Sequence, residues 1–255
     1  MLPTLFISHG SPMLAVQPGA SGRALEALAA SLPRPTAVVV ISAHWQSAEL
    51  AIGSHPQPPT WHDFGGFPPE LYRLDYPAPG EPQLALSIQQ LLQQAAISAQ
   101  QDPKRRRDHG VWVPLRLLYP QADIPVVQLS LPRTATPASL TRLGRALAPL
   151  RQQQLLIVGS GSITHNLGEL DWRAGPDQIS PWAQAFRDWM VERLAADDEG
   201  ALHDYRRLAP HAVRNHPTDE HLLPLFVARG AGGRFAQVHS GFTLGALGMD
   251  IYRFD

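Results

Sequence analysis

The 255-residue sequence contains no cysteine. Disulfides, thiolate metal sites and a cysteine nucleophile are therefore excluded. Lysine is nearly absent: Lys104 stands alone against twenty arginines. Charged residues make up 17% of the chain and the net charge is -1, so no global field draws it toward nucleic acid or an anionic membrane. No apolar run approaches the roughly 20 residues of a membrane span. The opening "MLPTLFISHG" lacks the basic region, apolar stretch and small-residue cleavage site of a secretory signal. These absences predict a cytoplasmic protein with no nucleic-acid or membrane partner.

Hydrophobic residues reach 44%, ample for a core. The length fits one α/β domain over residues 1–255. Short apolar runs alternate with amphipathic segments. Leu2–Ile7, Ala37–Ser42 ("AVVVIS"), Ile124–Leu131 and Leu155–Ser162 read as strands. Arg23–Ser31, Pro82–Ala99, Pro137–Leu150, Pro181–Leu194 and Thr218–Arg229 read as helices. On the fourth of these, Trp182, Phe186 and Trp189 form a stripe that reads as core packing. The C-terminal stretch reads as one or two strands around a glycine-rich turn. Strands alternating with helices predict a single-domain α/β sandwich: a central, mostly parallel (mixed) sheet flanked by helices. Residues 54–82 break this rhythm with a loop dense in Pro, Gly and aromatics, and a loop that long is usually functional. The run Lys104–Arg107 reads as a solvated loop, with steering of an acidic substrate the lesser alternative.

Eleven histidines make imidazole and carboxylate the ligand chemistry open to this chain. Ligands of open α/β sheets bind beyond the carboxyl ends of the strands. His9 follows the first strand, His44 the second, and His165 lies shortly after "LLIVGSGS", so three strands deliver histidines to one sheet edge. His221 would sit in the first turn of the helix that Thr218 caps. Adjacent helical residues diverge by about 100°, so Glu220 and His221 would not share a metal; on local grounds Glu220 serves the cap and His221 lies at the surface. His109, in "DHGVWVPL", and His62, in the long loop, are each an acid/base group or a polar loop residue. Few imidazoles with open positions suit Fe(II), Mn(II) or Zn(II). "GSGS" at Gly159–Ser162 lacks the lysine of a phosphate-binding loop, and "SHGSP" is not a nucleophile elbow.

Eight collinear stretches carry a family resemblance: "HGSPM" (9–13), "VVVISAHW" (38–45), "HDFGGFPPELY" (62–72), "YPAPG" (76–80), "DHGVWVPL" (108–115), "DIPVVQLSL" (123–131), "GSGSITHNL" (159–167) and "PTDEHLLPL" (217–225). The chain resembles the class III extradiol ring-cleavage dioxygenases, in their 4,5-DOPA dioxygenase-like branch with a LigB-type fold. The resemblance implies a metal held by His9, His44 and His221, with His165 close enough to coordinate or to act as acid/base. It places His109 in the pocket near the substrate hydroxyls. It implies Fe(II) for dioxygenase activity, with Zn(II) plausible at the same site. The substrates would be a small catechol and O2, and the chain a monomer or small homo-oligomer. The wider superfamily looks like two histidines plus a glutamate; here His221 takes the third position, with Glu220 and His216 nearby. Asp63 or Asp108 would fix an imidazole tautomer. The alternative on the same scaffold is a zinc-dependent hydrolase or a non-catalytic metal-binding protein.

Overall fold

Aliphatic and β-branched runs form the centre of the molecule. The computed structural model describes residues 1–175 and 178–255. In chain order the elements are β1 (Thr4–Ser8), α1 (Gly19–Ser31), β2 (Ala37–Ser47), β3 (Ala51–Gly53), α2 (Pro82–Gln94), β4 (Gln100–Asp102), α3 (His109–Leu118), β5 (Val126–Pro132), α4 (Pro137–Leu147) and β6 (Leu155–Gly161). Then come α5 (Pro181–Ala195), the short α6 (Glu199–His203), α7 (Tyr205–Leu208) and α8 (Ala212–Asn215), α9 (Pro224–Ala231), β7 (Phe235–His239), β8 (Phe242–Thr243), β9 (Leu247–Gly248) and β10 (Ile251–Phe254).

Among the described residues, eight strands form one sheet in the order β4-β3-β5-β2-β6-β1-β10-β7, and β8 and β9 pair separately. The four central strands run parallel; β10 and β7 add antiparallel neighbours on one side, and β3 does so on the other. This is the mixed, mostly parallel sheet expected. Side chains of a strand alternate between faces, so one run feeds two cores. Val39 and Ile41 pack with α2, α4, α5 and α9. Val38 and Val40 pack with α1 and α3. Each such fully buried side chain contributes roughly 1.5–3 kcal/mol. Trp182 and Phe186 are buried as the stripe on α5 implied.

Several elements depart from the expected boundaries. Helix α2 stops at Gln94, because the chain turns through a left-handed Ala96 (φ +55°) into β4. Helix α4 gives way at Ala148 to a 3-10 turn containing Pro149, whose missing N–H cannot continue the α ladder. The last helix begins at Pro224, not Thr218, with proline at the first position, where its missing N–H costs nothing. Strands β3 and β4, three residues each, gave no periodicity to read. The C-terminal segment forms four strands, not one or two.

The run Lys104–Arg107 is only partly solvated. Lys104 and Arg106 are exposed, but Arg107 is buried. Its guanidinium donates to Ala78 O and to Pro79 O (2.9 Å), and its backbone is bonded to Pro59 O and Trp61 N. The loop 54–82 is thus wrapped around one arginine. Burial lowers that arginine to about 10, still cationic at neutral pH. No helix among the described residues is long and apolar enough to cross a membrane.

Candidate metal centre

Five histidines converge at the carboxyl-end side of β1, β2 and β6, the position expected for a ligand site in such a sheet. His9 directly follows β1. Its backbone N–H donates to Gly161 O (2.9 Å), and Gly10 takes φ +62°, so the chain turns away at once. Ser160 Oγ donates its only proton to Gly110 O. It must therefore accept from His9 Nδ1–H, 2.9 Å away, which leaves a lone pair on His9 Nε2.

His44 lies inside β2, not after it. Between Ile41 and Gln46, β2 advances five residues while β5 advances two, from Leu129 to Leu131. This bulge turns His44 out of the ladder, as bulges near active sites do. His44 Nε2 comes within 3.0 Å of His9 Nε2.

His221 is buried, not at the surface, because it sits in the turn before α9 with its carbonyl accepting from Ser162 N–H (2.8 Å). Its Nδ1–H donates to Glu220 Oε1 at 3.0 Å, so Glu220 serves the histidine and not a helix cap. His221 Nε2 is buried and has no hydrogen-bond partner.

The ligand atoms of His9, His44 and His221 all lie within 4.8 Å of one another. Three imidazole nitrogens meeting there, one of them an orphaned buried lone pair, are what a borderline divalent cation requires. Burial, and after it the neighbouring imidazoles, hold His9 and His221 well below the usual histidine range. Burial, then His109, lowers His44 to about 4. All three are neutral at neutral pH, the protonation state a ligand needs.

The other two histidines flank this trio. His165 stacks on His221 and groups with His221 and Glu220, but not with His9 and His44. Its backbone N–H donates to Asn215 O (3.0 Å), and burial lowers its pKa. His109 opens α3 with its ring centroid 4.0 Å from that of His44. Asp63 Oδ1 accepts from both the His109 backbone N–H (2.9 Å) and Nδ1–H (3.0 Å), which fixes the ring through Nδ1 and leaves Nε2 outside the pair. Burial pushes Asp63 up, but the bonds and charge of His109 hold it below the usual carboxylate range.

Of the other histidines, the two singled out in the sequence, His62 and His216, stay outside. His62 Nε2–H donates to Leu74 O (3.0 Å), so it braces the loop. His216 Nε2–H donates to Ile163 O (2.9 Å) and is wholly buried. Phe64, whose ring lies edge-on 5.7 Å from His109, forms an aromatic wall with Phe67 and Tyr72. The loop 54–82 was expected to form a pocket wall or lid, but sequence reading did not single out these rings, and it missed the Ser160 contact to His9. The "HDFGGF" stretch beside His62 was the available signal for the wall.

Residues 3–254 match the family described as the catalytic LigB subunit of aromatic ring-opening dioxygenase. The chain belongs to this family. It is 40% identical to a 4,5-DOPA dioxygenase extradiol of Beta vulgaris over 98% of this chain and 96% of the relative. It is 38% identical to a 4,5-DOPA dioxygenase extradiol of Escherichia coli K12, over 97% and 93%. A crystal structure of an uncharacterized Escherichia coli K12 protein superposes with TM-score 0.83 at 31% identity, covering 100% of both chains. As a LigB-family dioxygenase, the chain acts with a catalytic metal and O2 on a small molecule.

Proposed function

We propose that residues 1–255 form one catalytic domain that opens the ring of a DOPA-like catechol beside its diol, with Fe(II) held by His9, His44 and His221. The observation that carries this reading is the orphaned Nε2 of His221 facing two other imidazoles in a chain of this family. Bound there, Fe(II) would let electron density pass from the catechol to O2. Zn(II) suits the same donors, but it cannot mediate that redox step.

The protein's own groups do the rest. His109, its ring held by Asp63 through Nδ1, takes a proton from a catechol hydroxyl at Nε2. His165, stacked on His221, would hold or return a proton. General acid–base help of this kind contributes ~10²–10⁴ in rate. Phe64, Phe67 and Tyr72 give an aromatic ring an apolar wall and keep water from it. The relatives' name, 4,5-DOPA dioxygenase extradiol, supports DOPA, a catechol with an amino-acid side chain, as the kind of substrate.

The test is O2 uptake by the anaerobically Fe(II)-loaded protein, offered L-DOPA and a panel of simple catechols. Uptake with a yellow ring-opened product is the expected result. A fully loaded protein that consumes no O2 with any catechol overturns this reading in favour of zinc hydrolysis or metal binding alone.

A further inference from the structure

Asp108 occupies the N-cap position of α3, yet its carboxylate caps nothing. An aspartate there ordinarily accepts from the first free amides of its helix. Here the free N–H of His109 is taken by Asp63 instead. The Asp108 carboxylate is fully buried and points at the bulge in β2. Oδ1 accepts from Ser42 Oγ (2.7 Å). Oδ2 accepts from Gln128 Nε2 (2.6 Å) and from Arg105 Nη2.

These bonds converge on His44. A bulged residue loses its ladder partners, and buried backbone groups must find others. His44 N–H donates to Ser42 Oγ (3.2 Å). His44 O accepts from Arg105 Nη2 (3.3 Å). Both ends of the His44 peptide therefore run to the Asp108–Arg105 pair, one through Ser42 and one directly. The guanidinium lies over Trp45, 4.6 Å from its ring, and 5.2 Å from the ring of Trp61. Trp45 belongs to the bulge, and Trp61 to the loop that carries Asp63. Gly110 leaves room for this arrangement: a Cβ there would sit 2.5 Å from Ser42 Oγ and 3.0 Å from His44 Cδ2.

We propose that Arg105 is a positioning residue of the centre: paired with Asp108 and seated against Trp45 and Trp61, it holds the β2 bulge in the one conformation that aims His44 at the metal. The proposal rests on the reading of His44 as a ligand. A lysine cannot replace this arginine in function. It can neutralise Asp108 as a point charge, but it lacks the planar guanidinium that lies against the two indole rings while its Nη2 reaches both Asp108 and His44 O. Charge and position are thus separable by experiment.

The experiment measures Zn(II) affinity of the full metal-free chain by calorimetry, together with the visible spectrum of the Co(II)-loaded protein. Parent, His44→Ala, Arg105→Lys and Ser42→Ala are compared. Arg105→Lys is expected to keep a near-parental melting temperature yet to bind Zn(II) about ten- to hundred-fold more weakly, the range found when a ligand's supporting residues are removed. Its Co(II) bands are expected to shift. Ser42→Ala, which leaves the buried charge pair intact, shifts both readouts in the same direction and decides the matter if Arg105→Lys does not fold. Parental affinity and an unaltered Co(II) spectrum in the folded variants overturn the proposal. If His44→Ala also binds Zn(II) like the parent, the assignment of the metal centre itself has failed, which is a separate result.

Discussion

His165 and His221 lie face to face, with ring centroids 3.5 Å apart and planes 6° from parallel. The two rings have different partners. His221 Nδ1 is engaged by Glu220, and its other nitrogen meets His9 and His44. His165 supports that plane from one side. His221→Ala should therefore abolish stoichiometric metal binding. His165→Ala should keep the metal and lower kcat by ~10²–10⁴. Metal content by elemental analysis, read beside turnover, separates the two; loss of metal from His165→Ala would make it a ligand.

Asp63 fixes His109 by its side chain and its backbone at once. Asp63→Ala should leave the metal bound and reduce kcat by ~10–100-fold, as the loss of an orienting carboxylate does. Unchanged kcat at saturating catechol would show that His109 needs no orientation.

The glycines of "GSGS" serve close packing, not phosphate. A Cβ on Gly161 would meet His221 O at 2.0 Å, so β6 and the His221 turn touch backbone to backbone. Gly161→Ala should cost ~1–3 kcal/mol of stability, as overpacking does, and should also weaken metal binding by moving His221. Denaturant unfolding with and without Zn(II) checks both; a variant as stable and as metal-avid as the parent would refute the contact.

Acid should destabilise the metal-free protein through histidines buried without charge. Burial holds His216 down at about 4, whereas the unfolded chain binds that proton near 6.5. Stability from this group is complete above pH ~6.5 and is lost as pH falls toward 4, on the order of 3 kcal/mol in all. Asp250, raised by burial to about 6, acts oppositely: its share is present at low pH and lost as pH rises through 6. The difference between parent and His216→Gln isolates the histidine. Melting temperatures at pH 7 and 4.5 should fall less in the variant, and equal falls would contradict the assignment.

The sheet centre was legible in the sequence because Ala37–Ser42 and Leu155–Ser162 are apolar on both faces, and only a buried parallel strand suits such runs. His9 was legible for the same reason. His44 was read as following its strand because a bulge has no period of its own; here it depends on Ser42 and, through it and directly, on Asp108 and Arg105, which are distant in sequence. His221 looked exposed because Thr218 imitates a helix cap, while Pro224 was the true start. Arg107 looked solvated because the carbonyls that bury it come from residues 78 and 79. Pairings of this kind are set by tertiary packing and leave no local pattern.

Isotopic oxygen balance tests the central claim most directly. The Fe(II)-loaded protein is given L-DOPA under ¹⁸O2, and the product is weighed by mass spectrometry. Ring opening beside the diol predicts that both atoms of one O2 enter the product, with one O2 consumed per catechol. A product without label, or turnover without O2 uptake, would contradict it.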